Sequence, residues 1–120
     1  MRRNGWHIAR QDGGVILSRR PGGRAAGSGL WAETRLPAGG RLSVLAHEIR
    51  KDLWRALRHV RGFSPIIEIH PCREEAGLCV RAGGATASPP PAPLQATLSA
   101  VLEDSARRAR WISHAARRQK

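Results

Sequence analysis

The chain has 120 residues, of which 21 are Lys or Arg and 9 are Asp or Glu, for a formal charge of +12. That length supports one hydrophobic core and not two, and that charge favours phosphate polymers, anionic membranes or acidic protein surfaces over a small neutral substrate. No apolar run reaches the ~20 residues of a membrane-spanning helix, and no apolar segment follows Arg2 and Arg3 as a secretory signal requires, so a cytoplasmic location is expected.

Residues 6–10 and 15–19 flank Gln11-Asp12-Gly13-Gly14. An Asp-Gly pair at that place signals a hairpin, because a type I′ turn needs positive φ at both central residues. Pairing about it puts Trp6, Ile8, Val15 and Leu17 on one face and His7, Ala9, Ile16 and Ser18 on the other. Residues 21–29, rich in Gly and Ala, are expected to be a flexible loop. In residues 30–36, Leu30, Ala32, Thr34 and Leu36 alternate with Trp31, Glu33 and Arg35, the pattern of a half-exposed strand.

A helix is expected over residues 41–61, where a 3.6-residue period gathers Leu42, Leu45, Ile49, Leu53, Ala56, Leu57 and Val60. Gly62 stops it. Residues 63–70, with Ile66, Ile67 and Ile69, form a strand whose antiparallel partner is residues 78–82. Residues 84–93 read as a proline-rich crossover, and residues 94–118 as one basic helix with Leu94, Leu98, Val101, Leu102, Ala109, Ile112 and Ala116 inward. The sum is a single α+β domain over residues 1–120, in which a small antiparallel sheet of about five strands, in the order β-β-β-α-β-β-α, is packed by two amphipathic helices. That order is neither that of a double-stranded-RNA-binding domain nor that of a KH domain, and no RNP motif or zinc-finger spacing appears.

Function is carried by the polar faces of the two helices. The first holds Arg50, Lys51, Arg55, Arg58 and Arg61 with Trp54 and His47 among them, and the second holds Arg107, Arg110, Trp111, His114, Arg117 and Arg118. Cations interleaved with rings are what a phosphate chain with stackable bases meets. Of the 21 basic residues 19 are Arg, whose planar guanidinium suits phosphate and base contacts, although GC-rich coding also favours Arg. The charge is uneven: residues 1–40 carry +5, 41–62 +4, 63–88 −1, 89–104 −2 and 105–120 +6. The last cluster exceeds what complementing a helix dipole requires.

Duller roles are weighed beside these. Trp54 lies about 60° from Leu57 around the helix, so packing at the core edge competes with base stacking. Trp111 falls opposite the apolar stripe and is expected to be exposed, whereas Trp6 and Trp31 are expected to pack in the sheet. His47, His59 and His114 read first as surface histidines and second as phosphate contacts.

The expectation is a non-catalytic nucleic-acid-binding accessory protein with no cofactor. An adaptor that docks on an acidic protein of the transcription, replication or phage-like assembly machinery is the alternative, since Arg and Trp also dominate protein hot spots. A small nuclease ranks lower. His47, His59 and Glu48 offer acid and base by type, but the two histidines lie about 120° apart and three turns apart on one helix. Membrane-surface binding is disfavoured because Trp111 lies on the polar face. Cys72 and Cys79 bracket a turn and are able to meet across a hairpin, with the reduced pair as the preferred reading. With His70 they supply three metal ligands where a structural zinc site uses four, and no metal is expected.

Overall fold

The computed structural model describes residues 2–3, 5–19 and 29–117. The elements are β1 (Arg2–Arg3), β2 (Trp6–Gln11), β3 (Gly14–Ser18), β4 (Gly29–Leu36), α1 (Leu42–Leu57), β5 (Ser64–Pro71), β6 (Leu78–Ala85), α2 (Ala92–Glu103) and α3 (Ser105–Arg117). The strands form one antiparallel sheet of order β1-β2-β3-β5-β6-β4. The fold is therefore α+β, with the two-residue β1 added at one edge and the last helix divided in two. Of the expected loop at 21–29, only Gly29 lies within the described residues, and it opens β4.

The β2–β3 hairpin turns at Asp12 (φ 53°) and Gly13 (φ 78°), with Gln11 opposite Gly14. Its Trp6, Ile8, Val15 and Leu17 join Leu30, Leu36, Ile67, Ile69, Leu78 and Val80 on one buried face of the sheet. Leu45, Ile49, Leu53 and Leu57 of α1, and Leu98, Val101 and Leu102 of α2, close over that face. α1 lies against β3 and β5, α2 lies against β4, and α3 packs mainly on α1. Burying each of these aliphatic side chains stabilises the fold by roughly 1.5–3 kcal/mol before the entropy of ordering is charged against it.

Three expectations are corrected. The helix at 94–118 breaks at Asp104, whose backbone is extended (φ −67°, ψ 115°) and whose Oδ2 accepts the Arg107 N–H at 2.9 Å. An N-cap carboxylate satisfies one of the orphan donors of a new helix, so α3 starts afresh with a different face inward. Residues 83–85 are strand and not linker, because Gly83 and Gly84 let β6 approach both of its neighbours closely. Finally, Cys72 and Cys79 are joined in a disulfide, their Cα atoms 5.2 Å apart at the mouth of the β5–β6 hairpin, in place of the reduced pair preferred from the sequence.

The outer edge of the sheet is blunted by side chains from the helices. Gln95 Nε2 donates to the Trp31 carbonyl at 2.5 Å, and Arg108 donates to the Arg35 carbonyl and, at 2.8 Å, to Thr34 Oγ1. A strand edge covered in this way is withheld from pairing with another chain. The start of α1 is tied to the end of α3, since the Arg41 N–H donates to the Ala115 carbonyl at 3.3 Å.

Candidate nucleic-acid interface

The two basic faces read from the sequence meet different fates. On the flank of α1 that faces α3, charge is neutralised within the fold. Asp52 is buried, with 5% of its side chain exposed, and accepts from Trp111 Nε1 at 2.7 Å, from Arg55 Nη1 at 3.2 Å and from Arg110. Glu48 accepts from Lys51 Nζ at 2.6 Å and lies 2.8 Å from His114 Nδ1. Arg107 stays with Asp104, its guanidinium 3.7 Å from the carboxylate.

Trp111 is the clearest correction. It is 0% exposed, lodged between α1 and α3, and it is not available to stack on a base. Arg110 and His114 are likewise engaged with acids of α1, so this part of the expected second face serves to dock α3. Arg117 is exposed, and Arg118 lies outside the described residues.

Asp52 was missed as a functional neighbour, although it had a signal. It stands three residues after Ile49, four before Ala56 and seven after Leu45, which places a lone carboxylate inside the apolar stripe. A buried carboxylate there requires donors, and Trp111 and Arg110 are those donors.

Glu48 offers a pH test of this docking. Burial pushes its carboxyl up, but Lys51, by hydrogen bond and charge, and His114 outweigh that effect and hold it below its ordinary value of 4.5. A carboxylate lowered in the native state contributes stability in full above its unfolded pKa and loses it as pH falls through the native one. The stability gap between wild type and Glu48→Gln, measured by urea denaturation, is expected to hold from neutral pH down to about 4.5 and to shrink below it. A gap unchanged in acid would show that the Glu48 charge contributes nothing.

The opposite flank of α1 is not neutralised. Trp54 is 44% exposed, and its ring is stacked on Phe63 with centroids 6.5 Å apart and planes 13° from parallel. Core-edge packing and exposure are therefore combined in one side chain. α1 ends at Leu57, short of the expected residue 61; Arg58, its C-cap, and Arg61, in the turn beyond, are exposed, and among the described residues no carboxylate pairs with either. One turn before Trp54, Arg50 lies over the Trp6 ring, 4.7 Å from its centroid, and donates through Nη2 to His47 Nδ1 at 3.0 Å. Burial, and then the charge of Arg19, hold the Arg50 guanidinium below its ordinary value, with Glu48 pulling the other way.

Trp6 is buried as expected, and Trp31 is half-buried under Arg81, whose guanidinium carbon is 3.9 Å from the ring centroid. The bonded sulfurs of Cys72 and Cys79 have no thiolate to offer a metal beside His70. No described helix is long and apolar enough to cross a membrane. The chain matches no family model, no curated protein and no solved structure.

Proposed function

We propose that this protein binds nucleic acid through the outer flank of α1 and performs no catalysis there. Trp54 is the stacking ring, and Arg50, Arg58 and Arg61 hold the phosphates, with Lys51 and Arg55 at the margin because they also face Glu48 and Asp52. The observation that carries the reading is Trp54, the one large apolar side chain exposed among the described residues, set beside Arg58 and Arg61, with which no carboxylate of the described residues pairs. An indole supported from behind by Phe63 is a pre-ordered platform, and a base stacked on such a platform contributes about 1–3 kcal/mol. Stacking requires unpaired bases, so a single strand suits this surface better than a duplex.

Fluorescence anisotropy with labelled single-stranded and duplex DNA and RNA, titrated with salt, tests the reading. Single-strand affinity is expected to fall about 5- to 100-fold in Trp54→Ala, a change that leaves the net charge intact. With three cations on phosphates, the slope of log K against log salt should be about −2. Binding that ignores Trp54 and vanishes at physiological salt would sink the reading and turn attention to an acidic protein partner. The cytoplasmic location belongs with this reading, since nucleic acid is met there, although the Cys72–Cys79 bond would then face a reducing thiol pool.

A further inference from the structure

The β2–β3 hairpin and α1 meet at Trp6, and among the described residues no acid pairs with the charges gathered there. The guanidinium carbons of Arg19 and Arg50 lie 4.9 and 4.7 Å from the Trp6 ring centroid. Each contact is favourable by itself, because the ring's quadrupole attracts a cation. Two cations on one ring nevertheless repel each other, and among the described residues no carboxylate pairs with either. Glu48, two residues before Arg50, is already engaged by Lys51 and His114. Arg50 Nε is buried and finds no hydrogen-bond acceptor among the described residues.

We propose that Arg19 and Arg50, ordered by Trp6, form a binding site for a phosphate monoester. In the reading above, on which this part rests, that group is the terminal phosphate of the strand stacked on Trp54. The charges match: two guanidiniums balance a phosphomonoester of nearly two negative charges at neutral pH, whereas a carboxylate or an internal diester balances only one. The planar donor forks of arginine fit phosphate oxygens. The spacing is compatible, because Trp54 follows Arg50 by four residues, about 6 Å along the axis of α1. In this proposal the phosphate at Arg50 and the base on the exposed indole belong to one nucleotide or to neighbouring ones. Arg19 is exposed, so the site opens to solvent on the hairpin side.

The test compares one oligonucleotide sequence carrying a 5′-phosphate, a 3′-phosphate or neither, together with inorganic phosphate alone followed by calorimetry. A terminal phosphate is expected to tighten wild-type binding by about tenfold, and Arg19→Gln, an exposed position that the fold tolerates, should erase that gain. Arg50→Gln should do the same, and Arg19→Gln carries the test should Arg50→Gln fail to fold. Equal affinity for all three oligonucleotides, with no Arg19-dependent binding of inorganic phosphate, overturns the site while leaving Trp54-dependent strand binding intact. Inorganic phosphate binding that Arg19→Gln abolishes, in a protein that binds no oligonucleotide, upholds the site and removes the strand reading, so that the phosphate then belongs to a small molecule.

Discussion

Asp52→Ala is expected to lower the stability of the fold by about 2–4 kcal/mol, most of it the cost of leaving a buried donor without its charged acceptor. Asp52 is held at 5% exposure between α1 and α3, and its two oxygens serve Trp111 Nε1, Arg110 and Arg55. Deleting the carboxylate leaves the indole N–H of Trp111, which is fully buried, without an acceptor. Arg110, with 44% of its side chain exposed, turns to water once the carboxylate is gone. Arg55, with 67% of its side chain exposed, relaxes into water and adds little. Trp111→Phe separates the contributions, since it keeps most of the ring and removes the donor, and a smaller loss of about 1–3 kcal/mol is expected. Denaturant midpoints of the three proteins check both values. A loss below about 1 kcal/mol in Asp52→Ala would show that α3 docks by apolar contact alone.

The second large effect is expected at Gly83. A Cβ built there would run into the Leu30 carbonyl oxygen of β4, and one at Gly84 into the Ser64 carbonyl oxygen of β5. β6 lies between those two strands, so neither carbonyl is able to retreat without disturbing the register that pairs Trp31 with Gly83 and Pro65 with Gly84. Gly83→Ala is therefore expected to cost about 3 kcal/mol or more, at the upper end of overpacking effects. Thermal unfolding measures this directly. By contrast, Ala85→Gly, at the end of the same strand, should cost no more than about 1 kcal/mol. A Gly83→Ala protein as stable as wild type would mean that the β4–β6 pairing is looser than its geometry implies.

How much of this was legible in the residues divides by the range of the interaction. The Asp12-Gly13 turn, the alternation of Leu30, Ala32, Thr34 and Leu36, and the α1 stripe of Leu45, Ile49, Leu53 and Leu57 are local patterns, and each appears where its period places it. The exposed Trp54 among arginines belongs to the same class, because an uninterrupted helix assigns its faces by position alone. Gly83 and Gly84 were misread because low side-chain content looks alike in a linker and in a strand pressed between two backbones. The cysteine pair was misread because its state was argued from the cellular compartment, whereas the hairpin brings the two Cα atoms within 5.2 Å.

Trp54 and Trp111 show the division most clearly. By itself the sequence determined the α+β class, the succession of the five main strands and α1, and the +12 charge, because these follow from period, turn chemistry and composition. Tertiary structure decided which tryptophan remains outside. The Asp104 cap turns α3 about a new axis, and the buried Asp52 carboxylate, 59 residues away in the chain from Trp111, draws its indole N–H inward. A helical face read from sequence holds only as long as its axis does, and a buried acid chooses its donors through space rather than along the chain.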